Sequence, residues 1–265
     1  RRSYDLKYFL LKVFLIVLVL HKIKNSEINL IIQGNETQKL IYNFYIYEPS
    51  EVLVNGVKDN SCSKTCNLQG NKNNIILRFN REITSCNSMF EDAKNITEID
   101  LSNFDFSKVN DLSKMFYECN NLEKIEFGNI NSFSVTYMCS MFYNCNKLKS
   151  INITKLDTSK VTDMTFLFRG CSSLENINLG NINTSSVRNM YGMFCVCSKL
   201  TSIDLSNFDT SKVRDMSCMF SGCEQLKYLE LSNFDTSKVS KIEYMFKGCS
   251  SLIYLNLKSF KLNNS

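Results

Sequence analysis

Histidine, glycine and proline are scarce in this chain, and two of these scarcities close a class of function. The only histidine is His21, inside an apolar leader. A chain without histidine beyond that leader cannot run a Ser–His or Cys–His mechanism and offers no imidazole to a metal. The nine glycines are scattered over 265 residues and form no phosphate-cradling loop. The single proline, Pro49, lies between segments with strand character. No cofactor is implied. Net basic charge is also missing where it would count. The formal +5 resides in residues 1–26, which carry six basic residues against Asp5, leaving 25 basic and 25 acidic residues in the remainder. That balance gives no electrostatic case for nucleic acid.

What is present is repetition. The octet SNFDTSKV begins at Ser206 and again at Ser232, 26 residues later. The same step carries Met219-Phe220 to Met89-Phe90, Met115-Phe116, Met141-Phe142, Met193-Phe194 and Met245-Phe246, with Leu167-Phe168 as the variant. Cys119, Cys145, Cys171, Cys197, Cys223 and Cys249 hold the same frame, and Ala93 fills the first slot. Seven units therefore run from Ile83 without insertion or deletion. With the unit numbered from its Val, apolar residues fall at places 1, 4, 7, 8, 11, 14, 17, 19 and 22. The steps of three and four predict a helix with Val213, Met216, Phe220 and Cys223 on one face. Asp-Thr-Ser before the Val reads as helix-start chemistry, and Asp215 suits the first helical turn. Leu229-Glu230-Leu231 alternates as a short strand. Stacked units would bury what one unit cannot, so an α/β solenoid of β-turn-α units is expected. Its parallel sheet would lie on one face and its helices on the other.

L-x-x-L-x-L resembles the strand segment of leucine-rich repeats. The full unit resembles the 26-residue repeat of BspA-like surface proteins, of the mycoplasma-lipoprotein and protist surface type. The sequence departs from the commonest leucine-rich pattern at place 22. There Phe104, Ile130, Leu156, Ile182, Phe208, Phe234 and Phe260 replace an asparagine ladder. The resemblance implies a secreted or cell-surface binding protein and no particular ligand.

Three segments are expected. Residues 1–26 combine Arg1, Arg2 and Lys7 with an apolar run to Leu20, broken once by Lys12, and read as a signal peptide or signal anchor. Residues 27–82 hold EINLIIQG, EVLVNGV and NNIILRF, three strand patterns suited to a β cap. Residues 83–265 form the repeats, with the C-terminal unit uncapped and further sequence or a partner expected beyond it. Membrane attachment through the leader or a later segment fits this layout. The sequons at Asn35, Asn95, Asn152 and Asn183 accord with export.

The ladder cysteines read as buried free thiols, since Ala93 shows that the slot takes a small apolar group. Rung-to-rung disulfides remain geometrically possible. A disulfide is expected among Cys62, Cys66 and Cys86, with zinc at Cys62-x-x-x-Cys66 as the rival reading. Cys139, Cys195 and Cys218 have no evident partner. Residues that face water and vary between repeats form the expected binding face: Asp100, Lys124, Glu126, Asn152, Asn178, Asp204, Tyr228, Glu230 and Tyr254. Asp204 and Glu230 share one place on adjacent units and invite a cation, Ca²⁺ included. The expected function is non-enzymatic recognition or adhesion, extracellular or at the cell surface, with a protein or glycan as ligand. The alternatives are a structural coat that self-associates through its open C-terminal repeat and, more weakly, a carbohydrate-active enzyme.

Overall fold

A computed structural model describes residues 26–128 and 135–261. The leader expected at residues 1–26 falls almost wholly outside the described residues. Among the described residues, no helix is long and apolar enough to cross a membrane.

The N-terminal segment contains β1 (Ser26–Gln33), β2 (Glu36–Lys39), β3 (Glu51–Val54), β4 (Val57–Lys58), β5 (Thr65–Leu68) and β6 (Lys72–Phe79). β1 alternates: Ile28, Leu30 and Ile32 are buried, while Asn29 and Ile31 point the other way. The buried Asn73 amide ties three turns together. Its nitrogen donates to the Gly34 and Gly70 carbonyls at 3.3 Å each, and its oxygen accepts from Asn55 Nδ2 at 3.1 Å.

Each repeat contributes at most one short strand: β7 (Ile96–Asp100), β8 (Lys124–Glu126), β9 (Ser150–Asn152), β10 (Asn176–Asn178), β11 (Tyr228–Glu230) and β12 (Tyr254–Asn256). β1 pairs antiparallel with β7, and β7 pairs parallel with β8, giving a six-stranded sheet in the order β4-β3-β6-β1-β7-β8. The first repeats are thus continuous with the N-terminal sheet.

The expected α/β solenoid is not what forms. Among the described residues there is no helix, and the strands divide into one six-stranded and three two-stranded sheets instead of one parallel sheet. The cause lies at places 6 and 10 of the repeat. Ser88, Lys114, Ser140, Phe166, Gly192, Cys218 and Tyr244 occupy the first; Asp92, Glu118, Asn144, Gly170, Val196, Gly222 and Gly248 occupy the second. All fourteen have φ between 55° and 77°. A left-handed residue every fourth position excludes an α-helix and suits a chain of tight turns. In the sixth repeat the N–H groups of Met219, Ser221 and Cys223 fold back on the carbonyls of Met216, Cys218 and Phe220 at 3.2, 3.0 and 3.1 Å. Those of Met216, Cys218, Phe220 and Gly222 instead reach forward to Lys241, Glu243, Met245 and Lys247, at 2.9, 2.9, 2.9 and 2.7 Å. Backbone donors therefore alternate between closing a turn and joining the next repeat.

The joined repeats align like residues. Phe90, Phe116, Phe142, Phe168, Phe194, Phe220 and Phe246 stack with centroids 5.3–6.0 Å apart. Phe208, Phe234 and Phe260 form a second column at 6.2 and 6.5 Å, which is what stands in place of an asparagine ladder. Threonines make a polar column in the core. Thr184 Oγ1 donates to the Asp209 carbonyl at 2.9 Å and accepts the Asp209 N–H at 2.8 Å, and Thr158 does the same with Asn183. The Thr of the Asp-Thr-Ser motif therefore bridges repeats and caps no helix.

Candidate binding face

At three places of the repeat, most acid or amide side chains make the same local bond. At place 3, Asp111, Asp163 and Asp215 accept the N–H two residues on, at 2.8–2.9 Å. At place 23, Asp105, Asp157, Asp209 and Asp235 do so at 2.8–3.0 Å. These are Asx turns, in which a short polar side chain substitutes for a backbone carbonyl. Asp215 thus caps a turn, where a helix dipole had been expected.

Place 18, the centre of the expected binding face, behaves likewise. Asp100, Asn152, Asn178, Asp204, Glu230 and Asn256 accept from Ser102, Thr154, Gly180, Ser206, Ser232 and Lys258, at 2.8–3.2 Å. The Ser206 hydrogen bonds hold the Asp204 carboxyl below its ordinary range. The hydrogen bonds from Ser232, then Asn256 and Tyr254, bring Glu230 down from 4.5 to about 2. Tyr254 Oη donates to Glu230 at 2.9 Å and Asn256 Nδ2 at 3.1 Å. Donors within the chain therefore answer the Glu230 charge where a cation had been expected. Among the described residues the one group of three ligating side chains close enough to share an ion is Asp59, Cys62 and Cys66.

Tyr228 and Tyr254 are in register on β11 and β12 and stand 55% and 46% exposed. Near the N-terminal segment the face is different. Asp100, Lys124 and Glu126 meet Asn29, Ile31, Asn74, Glu98 and Ile99 around a groove of about 360 Å³. Here β1 and β6 supply the two asparagines, and β7 and β8 supply the charges. The side chains of Asn29, Asn74, Glu98, Lys124 and Glu126 make no hydrogen bond or ion pair with other described residues. A second groove of about 490 Å³ shares Glu98 and adds Gln33, Lys72, Asn95, Thr97, Asn121, Glu123 and Lys147. Sequence reasoning missed Asn29 and Asn74. The signal was there in part, since Asn29 interrupts the apolar EINLIIQG where an outward residue belongs. That β1 would pair with β7 was not legible.

The structure joins Cys62 to Cys66 and leaves Cys86 a buried free thiol. The six ladder thiols are free, and each donates to the Phe carbonyl of the preceding repeat, from Cys119 Sγ to Phe90 at 3.0 Å through Cys249 Sγ to Phe220 at 3.1 Å. Cys139 and Cys218 are half-buried and Cys195 is buried, all three free. The four sequon asparagines are exposed. Asn35 and Asn95 are drawn together by Gln38, which donates to the Asn35 carbonyl and accepts from Asn95 Nδ2. Asn152 and Asn183 sit in Asx turns.

Fold and face together define a repeat protein: turn-built units aligned residue on residue, joined to an N-terminal β sheet, with a polar groove at the joint. The chain belongs to the family described as "Mycoplasma protein of unknown function, DUF285". That family's model matches three overlapping stretches, residues 66–150, 84–202 and 136–260. The match is to this family and not to a leucine-rich-repeat or BspA family. No curated protein and no solved structure matches the chain.

Proposed function

We propose that the chain is a non-enzymatic recognition module of the cell surface that binds a protein or glycan in the groove between its N-terminal sheet and first repeats. One observation carries this reading. Five polar side chains, Asn29, Asn74, Glu98, Lys124 and Glu126, line one groove with no partner among the described residues. Polar groups that a protein leaves unbonded in a concavity are those a ligand can pair with. Elsewhere on the face, the place-18 side chains are engaged in holding turns. The BspA-like pattern of the repeat supports a surface role, as does the apolar leader. The test is an array of glycans and extracellular proteins probed with the wild type and with Asn74→Ala/Lys124→Ala. Ligands captured by the wild type and lost by the variant support the groove. Equal capture by both, or loss on Tyr228→Ala instead, overturns it.

Self-association through the last repeat has one observation in its favour. Ile253 is 70% exposed beside the half-exposed Leu255, Leu257 and Phe260. Sedimentation of the wild type against Ile253→Ser tests that reading. Nothing favours a glycoside hydrolase. Asp204 and Glu230 are held ionised, the opposite of what a proton-donating carboxyl needs.

A further inference from the structure

The segment between β2 and β3 contains Tyr42-Asn43-Phe44-Tyr45-Ile46-Tyr47. Tyr45 points inward and is 3% exposed, whereas Phe44 and Ile46 are 82% and 72% exposed, more than any other large apolar residue described. The loop carrying them is held at several points. The Tyr42 N–H donates to the Met89 carbonyl at 2.9 Å, and Tyr45 Oη donates to the Ser85 carbonyl at 2.8 Å. The Tyr47 and Thr84 hydroxyls lie 2.7 Å apart, and Lys64 Nζ donates to the Asn43 carbonyl at 3.0 Å. Phe44 itself meets only the edge of the Tyr42 ring, with centroids 5.6 Å apart. Two large apolar side chains are thus displayed on a fixed support. Exposed apolar patches of this kind mark contact sites.

The position of the loop suggests what covers it. Ser26 pairs with Phe79, Glu27 with Arg78, and Glu51 with the other side of Arg78. The loop therefore enters β3 at the end of the sheet where residue 26 enters β1. The apolar run ends at Leu20. Six residue steps separate Leu20 from Ser26, a reach of roughly 20 Å at most. A bilayer that holds the run lies within that distance of residue 26, at the end of the sheet where the loop carrying Phe44 and Ile46 enters β3. Three cations near the loop are paired: Lys39 meets Asp92 at 3.1 Å, Lys64 meets Glu48 at 3.5 Å, and Arg78 meets Glu27 and Glu51 at 2.9 and 2.7 Å. Tyr42 and Tyr47 flank the apolar pair as aromatics do at a membrane interface.

We propose that Phe44 and Ile46 insert into the surface of the same bilayer that holds the N-terminal apolar run, and that this second contact fixes how the groove is presented. The inference rests on the surface reading with the leader retained. It is independent of what the groove binds.

The chain has no tryptophan, so Phe44→Trp gives it a single tryptophan, whose emission is excited apart from that of the tyrosines. The full chain, leader included, is bound to zwitterionic phosphatidylcholine vesicles with and without brominated acyl chains. The control is Ile253→Trp, an equally exposed position in the seventh repeat. Emission from residue 44 is expected to shift to the blue and to be quenched several-fold more than emission from residue 253. Adding Ile46→Ser should reduce that quenching. Adding Asn74→Ala/Lys124→Ala should leave it unchanged, so that a failed groove and a failed loop are told apart. Vesicle-bound protein with an unquenched residue 44 overturns the proposal. So does a blue shift that grows with protein concentration and needs no vesicles, which would assign the loop to a second copy. A full chain that does not bind vesicles overturns both this proposal and the retained leader on which it rests.

Discussion

At the residue scale, the ladder cysteines are explained by a hydrogen bond as well as by size. Each Sγ donates to the carbonyl of the Phe three places earlier in the previous repeat, at 3.0–3.2 Å. Ala93 occupies this place in the first repeat, where no earlier repeat offers a carbonyl, so a donor would have nothing to meet. Cys171→Ala should therefore cost about 1–2 kcal/mol, combining a small cavity with a lost bond. Cys171→Asp, which buries an unpaired charge, should prevent folding of that repeat. Burial pushes the Cys119 and Cys171 thiols up to about 12. Both should resist alkylation at neutral pH until the protein unfolds, while the half-buried Cys139 and Cys218 react first. Mass-mapped labelling that found Cys171 modified in native protein would refute this. Glu230 supplies the pH counterpart. Its folded value of about 2 lies below the ordinary 4.5, so its contribution to stability is present above 4.5 and is lost as pH falls toward 2. Tyr254→Phe/Asn256→Ala removes two of its donors. In a carboxyl-resolved NMR titration, the Glu230 midpoint should then move up. An unmoved midpoint would mean that the Ser232 bonds alone hold the charge.

At the element scale, the repeat frame was fully legible and the element it builds was not. Places 1, 4, 8 and 11 are the spacing of a helix face, and they are buried here. A ladder of four-residue turns repeats at nearly the same interval, so hydrophobic periodicity cannot separate the two. The distinguishing signal was the polar and glycine content of places 6 and 10, where the glycines read only as scattered. Gly170, Gly192, Gly222, Gly248, Asn144 and Asp92 all mark left-handed positions. The strand face was legible as a surface but not in its role, because Asx turns are indistinguishable from free carboxylates in a list of residues. These left-handed places carry a prediction with two signs. A Cβ on Gly170 would overlap the Asn144 amide and lie 3.3 Å from its Cα, whereas at Gly222 the nearest atoms are 3.4 Å away. Both alanine variants pay the left-handed cost of about 1–2 kcal/mol, and Gly170→Ala should lose more than Gly222→Ala. Val196 is a β-branched residue at φ 62°, 43% exposed. Val196→Gly should relieve strain and gain about 0.5–1 kcal/mol after the added freedom of the unfolded chain is subtracted. Chemical denaturation of the three variants checks the order, and a destabilised Val196→Gly would show that its side-chain contact with Gly222 outweighs the strain.

At the scale of the whole molecule, the first and seventh repeats have different neighbours among the described residues. At the first repeat, outward carbonyls are taken up by the N-terminal segment: Met89 by the Tyr42 N–H and Ser85 by Tyr45 Oη. Between repeats, forward N–H bonds from places 4, 6, 8 and 10 tie each unit to the next, four at five of the joints and three at the joint of the third and fourth repeats. In the seventh repeat, the N–H groups of Tyr244, Phe246 and Gly248 have no backbone acceptor among the described residues. Its apolar residues Val239, Leu252, Leu255 and Leu257 are only partly buried. Repeat arrays gain stability from nearest-neighbour joints, so a chain of these 265 residues should open first at the seventh repeat, which is joined on one side only among the described residues, and opening should run inward. Native-state hydrogen exchange is expected to show the Phe90, Phe116, Phe142, Phe168 and Phe194 amides strongly protected, Phe220 less so, and Phe246 least. The same gradient should survive Cys62–Cys66 reduction, because that bridge closes a loop of only four residues' separation within the N-terminal segment and crosses no joint between repeats. A single protection level shared by Phe116 and Phe246 would mean that the array opens all at once. The stability of the groove at the first joint would then depend on the last repeat as much as on the N-terminal sheet.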